Sequence, residues 1–237
     1  AGEEEGGGGW FDVHVRVEGP IVAELLRLFR HSWVRARGRP FRLPEPIASA
    51  QPLVPVAFAT SLVTRTFRPR MEIRRAYLHA IGQAKRTVSI MNAYFVPDLG
   101  VRWALRRAAR RGVSVRVIVP AHSDIPVVRY ASRHLFSSLL LSGVRIFEWP
   151  HRMMHAKTAV IDGVWSAIGS YNLDYVSLFY NLEVVLAVVD REVGARMDAR
   201  FAAEIARCRE IDLARWQRRS VWQKLVEWFF FRLRRWL

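Results

Sequence analysis

The sequence has a single cysteine, Cys208, and few acidic residues for its length. One thiol excludes an internal disulfide framework and agrees with a reducing compartment. No run reaches the roughly 18 uninterrupted apolar residues that a membrane span needs, so any membrane contact is expected to be peripheral. The sequence has 21 Asp and Glu residues and 37 Lys and Arg residues, which gives a net charge of +16. This surface favours nucleic acid or an anionic lipid surface, and composition alone does not choose between them.

The remaining composition is that of a folded protein. Hydrophobic residues make up 51% of the 237 positions, enough for a sizeable core. The chain opens on Ala1 without a methionine, runs through an acidic and then a glycine stretch, and meets a strand pattern abruptly at Phe11. We interpret this opening as the cut end of a longer protein.

The first part of the chain predicts a small unit followed by a connector. Alternation over 12–17 predicts a strand, and a helix is expected over 21–33. The segment 35–55 is basic and interrupted by five prolines, which favours a connector and a domain boundary.

Helix and strand patterns alternate beyond this connector. Such an order predicts an α/β fold in layers, with a mixed central sheet flanked by helices. The expected helices cover 71–84, 104–111, 126–141 and 193–207, and the expected strands cover 87–92, 113–119, 144–148, 157–161, 165–168 and 181–189.

The strongest motif is His155-x-Lys157-x4-Asp162-x6-Gly169-Ser170-x-Asn172. Six fixed residue types match one register by chance with a frequency on the order of 10⁻⁸. Residues two apart in a strand point to the same face, so the imidazole of His155 and the ammonium of Lys157 are expected side by side.

These residue types suit attack on a phosphodiester. The imidazole of His155 can attack phosphorus, and Lys157 can neutralise the developing charge. Ser170 and Asn172 can donate hydrogen bonds to the same oxygens, which makes them the expected substrate-binding residues. No metal or other cofactor is required, and no cluster in the sequence has metal-ligand spacing.

Two carboxylates have open roles. Glu183 is a candidate to accept the Nδ1 proton of His155 and so orient its ring, while the alternative is a surface ion pair at a strand end. Asp162 completes the motif, but repulsion between anions argues against contact with phosphate and favours a turn-forming or lysine-pairing role.

The motif resembles that of the phospholipase D superfamily, and 67–208 is similar to the second repeat of its bacterial cardiolipin synthases. Three further segments, 91–97, 123–129 and 172–178, resemble that subfamily more than the nucleases. The resemblance implies a phospholipase D-like sandwich with His155, Lys157, Asp162 and Glu183 as the catalytic set. It also implies phosphatidyl transfer between phosphatidylglycerol molecules through a phosphohistidine, on the cytoplasmic side of a bacterial membrane, with phosphatidylglycerol and cardiolipin as lipid partners.

The sequence departs from such enzymes because it holds one motif where they carry two. The resemblance implies that 1–66 are a remnant of the first repeat with its connector, 67–212 a catalytic repeat, and 213–237 a membrane-associating tail. Asp12 then matches the acid that would orient the missing histidine. The second half-site would come from the missing repeat or a second chain, and either histidine could be the nucleophile. The alternative is a phospholipase D-type hydrolase or nuclease that completes its site by homodimerisation.

The tail predicts a basic amphipathic helix. Apolar residues recur at i, i+3, i+4 and i+7 from Trp222 to Trp236, while Lys224, Glu227 and Arg234 fall opposite. This composition is typical of an interfacial membrane anchor and is not needed by a soluble nuclease, which disfavours nucleic acid as the partner. The alternative is a helix that packs on another part of the protein.

Overall fold

The computed structural model describes residues 10–39, 58–63, 71–150 and 153–236. Eight strands form one sheet in the order β1-β7-β6-β5-β2-β3-β4-β8. The strands are β1 (Phe58–Val63), β2 (Thr87–Asn92), β3 (Ser114–Pro120), β4 (Arg145–Trp149), β5 (Lys157–Ile161), β6 (Trp165–Gly169), β7 (Val184–Val189) and β8 (Arg209–Glu210). The helices are α1 (Pro20–Arg37), α2 (Met71–Gln83), α3 (Leu99–Arg110), α4 (Pro126–Leu140), α5 (Tyr175–Phe179), α6 (Arg191–Ile205), α7 (Leu213–Gln217) and α8 (Val221–Arg232).

The sheet is mixed, as predicted. β2 pairs in parallel with β3, and β3 with β4, because α3 and α4 form the crossovers between them. All other pairs in the sheet are antiparallel. The predicted α/β layering is therefore confirmed.

Two hydrophobic cores lie on opposite faces of this sheet. The larger one contains the apolar faces of α2, α3 and α4, with Tyr77, Leu105 and Phe136 fully buried. The smaller one packs Phe201 of α6 on Met91, Ile118 and other residues of the central strands. The sheet is thus covered by helices on both sides, which positions the ends of β2 and β5 as a rigid edge.

One helix starts earlier than its hydrophobic pattern predicts. We expected it from Ala104, but α3 begins at Leu99 because Oδ1 of Asp98 accepts a hydrogen bond from the backbone N–H of Gly100 at 2.8 Å. Both carboxylate oxygens of Asp98 also accept hydrogen bonds from Arg74. The capping residue, and not the apolar periodicity, sets this boundary.

The predicted strand over 12–17 is wrong. Within the described residues, positions 12–17 form no strand. An isolated bridge joins the preceding residue, Phe11, to Met154. Val15 on its apolar face is 46% exposed. Alternation shows that a segment could bury one face, but a strand also needs a neighbour to take its backbone hydrogen bonds.

The tail folds into two helices, α7 and α8. On α8, the burial of one residue differs from the prediction. Glu227, expected on the solvent face, is 3% exposed and packs inward with Phe230 and Phe231. Trp222 and Phe229, on the apolar face expected to contact a membrane, are more than half exposed. The inward face is fixed by ion pairs of Glu227 with Arg133 and Arg219.

Among the residues that the structure describes, no helix has both the length and the apolar character required to cross a bilayer. The proline-rich connector predicted over 35–55 lies outside the described residues beyond position 39.

Candidate active site

The motif residues lie around the first residue of β5. Lys157 opens this strand and lies opposite Asn92, the last residue of β2. His155 precedes the strand, and its backbone N–H donates a hydrogen bond to the carbonyl of Phe11 at 2.7 Å. The N-terminal segment is therefore held against the motif by its backbone.

The side chain of His155 is paired with Asp12. Nδ1 of the imidazole lies 2.8 Å from Oδ2 of the carboxylate, and the Trp10 ring packs on the imidazole at a centroid distance of 5.0 Å. Burial alone would raise the pKa of Asp12, but its hydrogen bonds with His155 and the Val13 N–H outweigh that effect and lower it. An ionised carboxylate can only accept, so Nδ1 carries a proton and the lone pair of the neutral ring lies on Nε2.

Lys157 lies directly behind this histidine. Its ammonium donates a hydrogen bond to the carbonyl of His155, and the residue is only 6% exposed. Burial lowers the pKa of Lys157, and the negative charges of Asp12 and Glu183 oppose this shift. The ammonium is therefore a pre-placed positive charge in a weakly hydrated setting, where it acts strongly on a nearby anion.

Ser170 and Asn172 lie on the loop that follows β6. The hydroxyl of Ser170 accepts a hydrogen bond from the Val184 N–H at 3.1 Å, and Oδ1 of Asn172 accepts one from the Tyr94 N–H at 3.4 Å. With its amide oxygen held, Asn172 can turn its NH₂ group to an acceptor. Gly169 is required before this loop, because a Cβ there would lie 2.2 Å from the carbonyl oxygen of Val184.

Asn92 was not predicted as a site residue. It is 1% exposed, its Oδ1 accepts the Leu173 N–H at 3.0 Å, and its Nδ2 donates to the carbonyl of Tyr171 at 3.4 Å. Asn92 thus fixes the Asn172 loop beside Lys157. A buried asparagine at the end of an apolar strand was the signal available in the sequence.

Glu183 does not contact His155, so the predicted pairing of these two residues is wrong. Its Oε1 accepts hydrogen bonds from the Ser177 hydroxyl at 2.7 Å and from the Asn181 amide at 3.1 Å. The same Ser177 hydroxyl accepts the backbone N–H of Asn172 at 3.3 Å. Glu183 is 4% exposed, so this carboxylate belongs to a buried polar network.

Asp174 is a second residue that sequence reasoning missed. Its Oδ1 caps α5 by accepting the Ser177 N–H at 2.6 Å. Burial raises its pKa to about 7, and the nearby charge of Glu183 acts in the same direction. Asp174 and Glu183 are therefore two buried carboxyl groups linked through Ser177, and the protonation of Asp174 changes near neutral pH.

Asp162 lies at the far end of β5 from Lys157, about 16 Å away for five residues of strand. Its carboxylate accepts the backbone N–H groups of Lys85, Arg86 and Thr87 at 2.7–2.8 Å. Its backbone is left-handed, with φ of 53°. The structure gives Asp162 the turn-forming role, and its place in the catalytic set has no geometric support.

The site therefore combines an oriented imidazole, a buried ammonium and two hydrogen-bonding side chains at one sheet edge. This arrangement can bind a tetrahedral phosphorus centre. Nε2 of the imidazole can attack the phosphorus, and the ammonium can neutralise the charge on the phosphate oxygens. Within the described residues, no group of three His, Cys, Asp or Glu side chains could hold a metal ion.

Comparison with solved structures identifies the class of fold. The chain is similar to Nuc, a phospholipase D family member from Salmonella typhimurium, with a TM-score of 0.55 and 19% identity, covering 65% of this chain and 99% of that one. It is also similar to phosphatidylserine synthase from Haemophilus influenzae, with a TM-score of 0.60 and 14% identity, covering 95% of this chain and 56% of that one. At these identities the likeness establishes a phospholipase D fold and nothing more.

Comparison of sequences identifies the family. Residues 77–205, more than half of the chain, match the family model for the phospholipase D-like domain of cardiolipin synthase, and the chain belongs to that family. It is 33% identical to cardiolipin synthase A of Serratia proteamaculans and of Yersinia pestis, over 231 residues in each case. These matches cover 97% of the chain but 48% of each relative, so the chain spans about half the length of the curated relatives it matches.

Proposed function

We propose that this protein transfers a phosphatidyl group between phospholipids, making cardiolipin from two phosphatidylglycerol molecules, and that the chain supplies one of two half-sites. The observation that carries this proposal is the His155 imidazole, whose Nδ1 is bound to an ionised Asp12 beside the buried Lys157 ammonium. Family membership and the names of the curated relatives support the lipid substrate.

The chemistry proceeds in two displacements. Nε2 of one histidine attacks phosphorus, the bond to the glycerol headgroup breaks, and the departing alkoxide takes a proton from the histidine of the other half-site. The headgroup hydroxyl of a second phosphatidylglycerol then attacks the phosphohistidine, while the same second histidine takes the proton of that hydroxyl. The phosphorus–nitrogen bond breaks, which releases cardiolipin and restores the imidazole.

His155 fits either role in this scheme. As the nucleophile it needs a free Nε2 lone pair, and as the acid it needs a proton there. Asp12 supports both, because it holds the Nδ1 proton and stabilises the positive charge that the ring carries in either form. Lys157 and Asn172 neutralise and hydrogen-bond the non-bridging oxygens as charge develops on them.

The second histidine is proposed to lie next to Glu183. Asp12 lies in the segment assigned to the first repeat, and it pairs with His155 of the second repeat; Glu183 lies in the second repeat. By the same symmetry, Glu183 would accept the Nδ1 proton of the second histidine. That histidine would come from the part of the full protein that matches the remaining length of the relatives, or from a second copy of the chain.

The protein is proposed to act on the bilayer as a peripheral protein. Exposed aromatic residues on α8, among them Trp222, Trp228 and Phe229, lie among exposed basic residues of the same helix. Such a face suits the boundary of headgroups and acyl chains of an anionic membrane. The cytoplasmic side of a bacterial membrane is proposed on the resemblance alone.

Product analysis tests the proposal. The full-length protein is incubated with phosphatidylglycerol vesicles, and lipids are separated after incubation with and without EDTA. We expect cardiolipin and glycerol in equal amounts in both samples. His155→Ala should reduce the rate by at least about 10²-fold. Phosphatidic acid as the main product would identify a hydrolase, and cleavage of DNA without lipid turnover would identify a nuclease and refute the proposal.

A further inference from the structure

Within the part of the chain that the structure describes, Arg102 of α3 and Arg234, which follows α8, form no ion pair with a carboxylate, and both pack on the ring of Phe231. The guanidinium carbon of Arg102 lies 5.5 Å from the centroid of Phe231, and that of Arg234 lies 4.3 Å from it. Arg234 also lies 5.6 Å from the ring centroid of Tyr175. Among the described residues, Nε of both arginines is buried without a hydrogen-bond partner.

The acid nearest to this pair along the chain is already engaged. Asp98, one helical turn before Arg102, binds Arg74 through both carboxylate oxygens. Burial lowers the pKa of Arg102 and the charge of Arg234 acts in the same direction, although Tyr175 and Asp98 oppose the shift. By contrast, the buried Arg219 is paired with Glu227 at 2.5 Å. Two half-buried guanidiniums on one ring lose hydration and repel each other, so an anion that joined both would be bound favourably.

The surroundings of the pair are apolar and exposed. Leu99 and Trp103, which flank Arg102 on α3, are 69% and 59% exposed. Beside Arg234, Leu233 and Trp236 are also exposed. A soluble anion needs no such rim, whereas a lipid in a bilayer brings a phosphate and apolar chains together.

The pair also adjoins the candidate active site. Tyr175, whose ring lies under Arg234, is the first residue of α5 and follows Asp174 directly. Asn172 lies three positions before it in the chain. An anion bound by the two arginines would thus lie near the start of α5, which directly follows the loop that carries Asn172.

We infer that Arg102 and Arg234 together bind the phosphate of an anionic phospholipid in the bilayer, next to the lipid that reacts at His155. This inference rests on the proposed function, because it assigns the membrane lipid that docks at the same site. Planar guanidinium groups suit a phosphodiester because each can donate two parallel hydrogen bonds to its oxygens. Docking at this position would present the lipids at the sheet edge where Lys157 and Asn172 lie.

Vesicle binding with a charge-matched control tests this inference. The 237-residue chain is titrated with phosphatidylglycerol vesicles and with phosphatidylcholine vesicles, and sedimentation gives the affinity. The double variant Arg102→Gln, Arg234→Gln is compared with Arg110→Gln, Arg235→Gln, which removes the same charge from exposed positions of the same two segments. Circular dichroism and thermal unfolding check that both variants fold.

We expect the Arg102, Arg234 variant to bind phosphatidylglycerol vesicles at least about tenfold more weakly than the control, with no difference on phosphatidylcholine. Arg102→Lys, Arg234→Lys keeps the charge without the planar fork and should recover only part of the loss. Equal losses in the two glutamine variants would mean diffuse attraction and would overturn the inference. Equally tight binding of soluble glycerophosphoglycerol, measured by calorimetry, would overturn the assignment to a bilayer lipid.

Activity measured in parallel separates this inference from the proposed function. If the full-length protein makes cardiolipin but the two glutamine variants bind vesicles equally, the arginine site alone fails. If the pair-specific binding is found but no lipid product forms, the phosphatidyl transfer alone fails.

Discussion

Nδ1 of His155 lies 2.8 Å from Oδ2 of Asp12, a residue 143 positions earlier in the chain. The contact joins the motif to the N-terminal segment, which is also held by a backbone hydrogen bond from His155 to Phe11. Since Asp12 is ionised and can only accept, it selects the tautomer with a proton on Nδ1. The tautomer of His155 is therefore set by a residue outside the motif.

Asp12→Asn should lower the turnover of the full-length protein on phosphatidylglycerol by about 10²- to 10⁴-fold. The amide can present its NH₂ group to Nδ1, which favours the wrong tautomer, and it carries no charge to stabilise a positive imidazole. Turnover in vesicles measures the effect. Glu18→Gln, which removes an exposed acid paired with Arg16 in the same segment, is the control and should be near wild type. A loss of less than about threefold in Asp12→Asn would remove Asp12 from the mechanism.

Lys157→Met should lower the same turnover by about 10²- to 10³-fold, because the buried ammonium supplies a preorganised charge beside the phosphorus. Methionine has a similar length, so packing is largely kept. Lys85→Met, at an exposed lysine near the opposite end of β5, removes the same charge and serves as the control. Comparable losses in both variants would indicate that net charge, and not the position of Lys157, matters.

Asp174→Asn should change how stability depends on pH. The pKa of Asp174 is about 7 in the folded protein against 3.8 as the ordinary value, so the folded state binds more protons between these two values. Stability from this group therefore falls as pH rises from about 4 to about 7, by at most about 1.4 kcal/mol per pH unit, and is level above that range. Asparagine keeps the cap on α5 and should remove this slope.

Urea unfolding at several pH values across this range measures the slope. Asp212→Asn is the control, because Asp212 caps α7 in the same way but is exposed. An unchanged slope in Asp174→Asn would show that Asp174 does not titrate in this window.

Glu227→Ala should lower the free energy of unfolding by about 3 kcal/mol or more. The substitution removes the carboxylate that Arg219 and Arg133 share. Arg133 keeps its ion pair with Glu148, but Arg219 becomes an uncompensated charge with little exposure, which is costly. Urea denaturation measures the loss. Glu72→Ala, at an exposed position of α2, should change stability by less than about 0.5 kcal/mol. Similar values for the two variants would refute the ionic anchoring of α8.

Trp222→Ser combined with Phe229→Ser should weaken sedimentation with phosphatidylglycerol vesicles by at least about tenfold, because two large apolar side chains no longer enter the interface. Both residues are more than half exposed, so thermal unfolding should be little changed. Gln223→Ser on the same helix is the control. Vesicle binding equal to wild type would discredit the aromatic face of α8 as a membrane contact.

Local pattern predicted most of the strands, two of them at their observed limits, but not how they pair in the sheet. The strand over 157–161 was predicted at its observed limits, because a short β run bounded by a turn residue is a local signal. The strand over 12–17 was wrong, because its alternation required a neighbour that the sequence could not specify. The helix α5 was missed, because at five residues it is too short for a periodic signal and depends on the Asp174 cap.

The motif identified the residues of the candidate site, but the predicted interactions of its carboxylates were wrong. The short spacings of the motif place four predicted residues in one region, at the start of β5 and on the loop after β6: His155, Lys157, Ser170 and Asn172. Glu183 was paired with the wrong residue, since the distance in sequence says nothing about which carboxylate reaches the imidazole. Asp162 lies at the other end of the strand, where the turn requires it.

The sequence by itself determined which chemical groups form the candidate site. The imidazole, the ammonium and the loop donors follow from residue types at fixed short spacings, and short spacings are governed by local backbone geometry. Only the tertiary structure decided which carboxylate orients His155, which face of α8 is exposed, and that Arg102 and Arg234 converge on Phe231. These contacts are between residues far apart in the chain. They depend on the packing of the helices on the sheet and on the pairing of buried charges.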